Sequence, residues 1–199
     1  MNFDPQKHHR RSIRLQGYDY SQAGAYFVTI VAWQREMLFG EIVDGEMKLN
    51  RNGRIVRDAW FDLKNHYRYV ELGAFVIMPN HAHGIIGLVD DGRGGSSASG
   101  KTPLLGGLNA GIELVSTNQT RPYVTAKRHG LPEIVRAFKS FSARRINRLR
   151  RTDGIPVWQR NYYEHIIRNE REMDRITRYI ESNPSMWAED DENPMKSKP

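Results

Sequence analysis

Two histidines, His81 and His83, are the first candidates for chemistry in this sequence. They stand in the segment VIMPNHAHGII, whose apolar and β-branched composition predicts two strands, over residues 69–78 and 81–89, joined by a tight turn. Side chains two positions apart on a strand point to the same face, so both imidazoles would project together and could share one divalent cation. Such a pair also occurs on strands without binding a metal, so the hypothesis depends on what lies nearby.

Tyr179 is the second candidate, because a tyrosine phenol can attack a phosphodiester and hold the cleaved strand covalently. The pattern predicts a final helix that begins near Asn169 and ends by Asn183-Pro184. Tyr179 and Asn183 are four residues apart, so they would lie one helical turn from each other beside the buried face. The amide of Asn183 could then complete a metal site next to the phenol. The alternative is a half-buried tyrosine and a helix-ending asparagine.

Tyr162 and Tyr163 are rival nucleophiles. They lie in VWQRNYYEHIIRNE, where aromatic side chains alternate with Arg160 and Arg168. This mixture is typical of surfaces that stack unpaired bases, although core packing of the aromatic rings is an equal alternative. Neither tyrosine has a neighbouring ligand in the sequence pattern.

Basic side chains concentrate on a predicted helix at 132–150, where Glu133 is the only acid. A helix with so few matching acids favours contact with phosphates, the alternative being a solvated surface. A second basic cluster lies in the first 22 residues. The predicted DNA-binding residues are Arg136, Lys139, Arg144, Arg145 and Arg148 on the helix, Arg160 and Arg168 after it, and Arg10 and Arg11 at the N-terminus.

The elements that must position these residues alternate between strand and helix patterns. A strand from Ala25 is followed by a hairpin with the turn Asp44-Gly45, a helix over 50–65 and the histidine-bearing strands. The helix at 132–150, an extended piece at 156–163 and the final helix complete the order. This order predicts an α+β sandwich with helices packed on an antiparallel sheet. We expect one domain at 23–187, with a basic arm at 1–22, a flexible insertion at 90–130 and a polar tail at 188–199.

Composition restricts the function classes. The 199 residues include no cysteine, which excludes disulfides, thiolate metal sites and a cysteine nucleophile. Their net charge of +7 favours polyanionic partners. No apolar run approaches the roughly 20 residues that span a bilayer, and the N-terminus lacks the apolar region of a signal peptide, so we expect a cytoplasmic protein without a membrane partner. No GxxxxGK[ST] loop is present, so we expect no nucleotide cofactor.

Three motifs in order, PNHAH, WQ with YYEHIIRN, and YIESNP, resemble those of the REP-associated tyrosine transposases, relatives of the single-tyrosine insertion-sequence transposases among the HUH endonucleases. The resemblance covers most of residues 20–187. It implies a ferredoxin-like fold and a divalent metal, Mg²⁺ or Mn²⁺, held by His81, His83 and Asn183. It also implies that Tyr179 attacks single-stranded or hairpin DNA and leaves a 5′-phosphotyrosine. The insertion at 90–130 is the main departure from the family pattern.

Two other functions compete with this interpretation. One is a noncatalytic nucleic-acid-binding module of the same shape, which would use the basic helix and the aromatic residues. The other is a metal-dependent hydrolase with water as nucleophile, for which Glu164 and Glu172 are the candidate general bases. The oligomeric state, monomer or homodimer, stays open.

Overall fold

The computed structural model of the protein describes residue 15, residues 17–90 and residues 129–196. Arg10, Arg11 and nearly all of the predicted insertion lie outside these residues. Within the described part, the strands are β1 (Gly24–Val31), β2 (Gly40–Val43), β3 (Glu46–Leu49), β4 (Val70–Ile77), β5 (His81–Leu88) and β6 (Tyr163–Ile167). The helices are α1 (Arg51–Phe61), α2 (Leu63–His66), α3 (Leu131–Arg150) and α4 (Glu170–Ser182), with single 3-10 turns at Trp33–Arg35 and Trp187–Glu189.

Four strands form one antiparallel sheet in the order β4-β5-β1-β6. The connection from β1 to β4 passes through the β2-β3 hairpin and α1, and α3 lies between β5 and β6 along the chain. Two interleaved strand-helix-strand units with this strand order define a ferredoxin-like sandwich. The predicted α+β class, with helices packed on an antiparallel sheet, is confirmed.

Local signals explain where several elements begin and turn. Asp44 and Gly45 both have positive φ, 53° and 76°, as a tight two-residue hairpin requires, and they join β2 to β3. Asn50 and Asn169 are the N-caps of α1 and α4, because each side-chain oxygen accepts a hydrogen bond from a backbone N–H three residues later. The predicted hairpin and the predicted starts of these two helices are therefore confirmed.

The sheet has two covered faces, because neighbouring residues on a strand point in opposite directions. One face packs against α1 and α3 in the larger core, which contains Trp60 and Phe138. Gly84 of β5 belongs to this face, where a Cβ atom would lie only 2.4 Å from Trp60. The other face packs against α4 in a smaller core of Ala25, Phe27, Ile85, Ile167, Met173, Ile176 and Ile180.

The last strand differs from the prediction. The extended piece at 156–163 makes only one isolated bridge to the sheet, between Trp158 and Ala32, and the strand itself is Tyr163–Ile167. The ammonium group of Lys139 donates to the carbonyl oxygens of Gln159, Arg160 and Asn161 at 2.6, 2.9 and 3.4 Å. These three carbonyls are therefore bonded to α3, while the N–H of Gln159 still donates to the carbonyl of Val31.

Residues beyond α4 fold back over the sheet. The sequence assigns 188–199 to a polar tail, but Asp190 and Asn193 are buried. The amide of Asn80 donates to the carbonyl of Glu192 at 2.7 Å, and Arg35 forms an ion pair with the Glu192 carboxylate. This covering segment, residues 187–196, is part of the packed structure. None of the helices in the described part is long and apolar enough to cross a membrane.

Candidate metal and nucleophile site

The two histidines lie side by side at the start of β5, on the face that α4 covers. Their Nε2 atoms are 2.9 Å apart, and the imidazole of His81 is completely buried. Two ligands at right angles around an octahedral ion, each at 2.0–2.1 Å, would be about 3 Å apart, so this spacing suits one shared cation. The structure thus brings together the pair that the sequence predicted.

Each histidine is oriented through its other ring nitrogen. His81 Nδ1 lies 2.8 Å from Asn80 Oδ1, an acceptor only, so the ring donates its proton there and leaves the Nε2 lone pair free. His83 Nδ1 lies 2.9 Å from the hydroxyl of Thr29, the residue paired with His83 across β1 and β5. Because a hydroxyl can accept as well as donate, His83 can adopt the same tautomer. Partners of this kind typically orient metal-binding histidines.

Both histidines are neutral at physiological pH. Burial lowers the pKa of each imidazole to about 3, assisted by Arg35 at His81 and by His81 at His83. Asp190 acts in the opposite direction on His83. A neutral imidazole offers a lone pair, so the two rings are in the protonation state that metal binding requires.

Asp190 joins the pair from the covering segment. One ligand atom each from His81, His83 and Asp190 lie within 4.8 Å of one another, and Asp190 Oδ2 is 3.8 Å from His81 Nε2. This carboxylate was not predicted from the sequence. The acidic run Glu189 to Glu192 is its only signal, and an acidic run after a helix gives no indication that one member is buried.

Asn183, the predicted third ligand, lies next to Asp190. Its side-chain nitrogen donates to Asp190 Oδ2 at 3.2 Å, whereas its oxygen is buried and makes no hydrogen bond within the described residues. A buried amide oxygen without a donor is costly unless something occupies it, which fits a ligand role. Asp190 is therefore the oxygen ligand placed beside the two imidazoles, and the ligand role of Asn183 stays a prediction.

Tyr179 lies directly against the histidine pair. Its hydroxyl oxygen is 3.3 Å from His83 Nε2, and its ring makes edge contacts with His83 and Phe27. Tyr179 is 46% exposed, so its phenol is open to solvent. Burial, followed by the charge of Asp190, raises the pKa of the Tyr179 phenol, while Asn183 lowers it. The phenol is thus protonated at neutral pH.

The rival tyrosines lie on opposite sides of the sheet edge. Tyr163 pairs with Thr29 and is on the histidine face, where it lines the same cavity of about 600 Å³ as His83 and Tyr179. Tyr162 lines a groove of about 470 Å³ on the other side, between α3 and residues 155–162. Tyr163 is therefore close to the histidine site, and Tyr162 is not.

The predicted DNA-binding residues of α3 do not reach this cavity, because α3 packs on the opposite face of the sheet. Arg145 forms an ion pair with Asp62, and Arg144 lies over the ring of Phe141. Lys139 holds backbone carbonyls as described above, and burial lowers its pKa to about 8. Arg136, Lys139 and Arg160 line the groove that contains Tyr162, and Arg168 precedes α4 beside the histidine face. Any role of these residues in DNA binding stays a prediction.

Among known structures, the protein is similar to the REP-associated tyrosine transposase bound to a REP hairpin. The TM-score is 0.52 at 19% sequence identity, covering 87% of this chain and 73% of that chain. At this level of identity the two proteins share a fold, which agrees with the ferredoxin-like order of the sheet.

An uncharacterized protein of Haemophilus influenzae (strain ATCC 51907 / DSM 11121 / KW20 / Rd) is 40% identical over 185 residues, covering 92% of each chain. The protein belongs to the same family as this Haemophilus protein. No family model matches the chain.

Proposed function

We propose that the protein is a transposase-like nuclease that cuts and rejoins single-stranded DNA through Tyr179 with the help of Mg²⁺ or Mn²⁺. Its substrates would be hairpin-forming palindromic repeats, as in the family that the motifs resemble. The observation that carries the proposal is the distance of 3.3 Å between the Tyr179 hydroxyl and His83 Nε2, beside the three potential metal ligands His81, His83 and Asp190. A nucleophile next to a cation site is the arrangement that phosphodiester cleavage needs.

The residues present suit a divalent cation. His81 and His83 would supply two nitrogens, and Asp190 and Asn183 two oxygens, the carboxylate being the only anionic ligand. When bound, the ion would polarise a non-bridging oxygen of the scissile phosphate and offset the charge that develops in the transition state. Asn80 and Thr29 would keep the two rings oriented throughout the reaction.

Tyr179 would carry the covalent step. Its phenolic oxygen forms a bond to phosphorus while the bond from phosphorus to the 3′-oxygen breaks. The phenol loses its proton and the departing 3′-oxygen gains one, which yields a 5′-phosphotyrosine and a free 3′-hydroxyl. Attack by another 3′-hydroxyl reverses these changes and rejoins the strand, so no nucleotide cofactor is needed. An edge contact with Phe27 restricts the orientation of the Tyr179 ring, which would help to align its hydroxyl with the phosphate.

The hydrolase alternative is disfavoured by where its two carboxylates lie. Glu164 pairs with Val28 of β1 and belongs to the face of the sheet that α3 covers, away from the histidines. The Glu172 carboxylate does not contact the histidine pair, and its Oε1 lies 2.6 Å from His165 Nε2. Neither Glu164 nor Glu172 is therefore placed to act as a general base beside the candidate metal.

An adduct assay tests the proposal. Single-stranded oligonucleotides labelled at the 3′ end and carrying the palindromes that flank the gene would be incubated with the protein and Mn²⁺, then separated on a denaturing protein gel. We expect a labelled covalent adduct that EDTA and His83→Ala abolish and that the fully paired duplex does not give. A free nick without adduct would indicate hydrolysis, and a mobility shift in a native gel without cleavage would indicate the binding module.

A further inference from the structure

A third histidine, His165, faces the same cavity as Tyr179 but lies too far from His81 and His83 to share their cation. His165 lies on β6 opposite Phe27, whereas His83 lies on β5 opposite Thr29. Two strand spacings of about 4.8 Å separate the strands of these histidines, and the residues are also offset by two positions along the strands, about 6.8 Å, so they are roughly 12 Å apart. The cavity nevertheless extends far enough for both to line it, together with Arg175.

Glu172 holds the His165 ring in place. Its Oε1 lies 2.6 Å from His165 Nε2, and its Oε2 accepts the backbone N–H of Arg168 at 2.9 Å. Asn169, the N-cap of α4, in turn accepts the backbone N–H of Glu172. The N–H of Arg168, followed by His165, lowers the pKa of the Glu172 carboxyl. In its protonated form the His165 ring donates from Nε2 to the Glu172 carboxylate, and its Nδ1–H is then the group that can donate to an anionic ligand.

The cavity has opposite charges at its two ends. Asp190, Asp191 and Glu192 line the end beside the histidine pair, where a cation is expected. His165 and Arg175 line the other end, and the Arg175 guanidinium is 71% exposed and only 3.9 Å from the Glu172 carboxylate. An anionic ligand that extends from the metal end would therefore meet hydrogen-bond donors at the far end.

We propose that His165, oriented by Glu172 and flanked by Arg175, binds a backbone phosphate of the DNA strand next to the one that Tyr179 attacks. This inference rests on the proposed function and names a contact that fixes the strand in register. The separation of His165 from the metal end excludes contact with the scissile phosphate itself and suits a neighbouring phosphate of the same strand. His165 is thus a substrate-binding residue with Glu172 as its positioning residue.

Single methylphosphonate substitutions test the contact, because each removes the charge of one phosphate. Dissociation constants would be measured for single-stranded oligonucleotides modified at each position around the cleavage site, with the unmodified protein and with His165→Ala. We expect His165→Ala to weaken binding of unmodified DNA about tenfold, the loss expected for one charged hydrogen bond. At one neighbouring phosphate, methylphosphonate should cost the unmodified protein the same factor and cost His165→Ala nothing further.

Two further variants separate a phosphate contact from a structural role. Glu172→Gln keeps an oxygen for the Arg168 N–H but loses the charge, so we expect a smaller loss at the same phosphate. His66→Ala is the matched control, because His66 also pairs with a carboxylate, Asp62, but lies at the end of α2, outside the cavity. This variant should leave the affinity for every modified oligonucleotide unchanged. If the losses of affinity from His165→Ala and from methylphosphonate are additive at every phosphate, while the Tyr179 adduct still forms, this inference alone would be overturned. A protein that binds none of the oligonucleotides would overturn the proposed function as well.

Discussion

The hydroxyl of Tyr179 lies 3.3 Å from Nε2 of His83, although the two residues are 96 positions apart in the chain. The contact forms because β5 and α4 meet on one face of the sheet, with Phe27 of β1 packed between them. It places the proposed nucleophile at the edge of the proposed metal site.

Thr29→Val should weaken metal binding without disturbing the fold. Valine has nearly the same shape as threonine but cannot bond to His83 Nδ1, so the ring loses its orientation. Loss of such a partner typically reduces metal affinity by about 10- to 100-fold. Calorimetric titration of the protein with Mn²⁺ measures the change in metal affinity. Thr177→Val, on the helix α4, is a suitable control; equal Mn²⁺ affinity in Thr29→Val and the unmodified protein would contradict the role of Thr29.

Asp190→Asn should also lower the affinity for Mn²⁺, by at least tenfold, because it removes the one carboxylate that, among the described residues, lies within reach of both histidines. Asp191→Asn is the matched control, since the neighbouring Asp191 is exposed and pairs with Lys196. Paramagnetic resonance of free Mn²⁺ distinguishes the two variants. If they bind Mn²⁺ equally well, the ligand set is the two histidines and Asn183 without Asp190.

The double variant Arg144→Ala with Arg148→Ala tests the basic helix. If α3 contacts phosphates, binding to unrelated sequences should weaken equally and the slope of log affinity against log salt should fall by roughly 1 to 2 units. Arg54→Ala with Arg57→Ala on α1 removes the same charge and controls for net charge. An unchanged salt slope would show that α3 is only a solvated surface in the complex.

Lys139→Met should instead destabilise the protein. The ammonium group donates to three consecutive carbonyl oxygens, so its removal leaves them without a donor and frees residues 159–161 from α3. We expect a loss of about 1–3 kcal/mol in the free energy of unfolding. Denaturant titration measures it, with Lys64→Met on the exposed surface of α2 as control. A Lys139→Met variant as stable as the control would contradict this structural role.

The sequence was sufficient for the elements whose signals are local. The apolar composition of β5, the caps Asn50 and Asn169 and the turn Asp44-Gly45 are local signals, and the elements that they predicted are confirmed. The spacing of His81 and His83 likewise predicted two rings on one strand face.

Features that depend on distant contacts could not be predicted. Asp190 approaches the histidines only because the covering segment folds back and bonds to Asn80, a contact between residues more than 100 positions apart. The bonds of Lys139 to the carbonyls that precede β6 could not be predicted either, because its charge had indicated DNA contact. The separation of α3 from the histidine face follows from packing of the whole sheet.

Peptide mass spectrometry of the trapped adduct tests the central claim most directly. Replacing a phenol by phenyl removes the attacking oxygen and little volume, so Tyr179→Phe should fold and bind DNA but form no adduct. Tyr162→Phe and Tyr163→Phe should still form it, more slowly at Tyr163 because that ring lines the cavity. In the unmodified protein we predict the nucleotide mass on the peptide that contains Tyr179. A nucleotide mass on the peptide with Tyr162 and Tyr163, and none on that with Tyr179, would contradict the account.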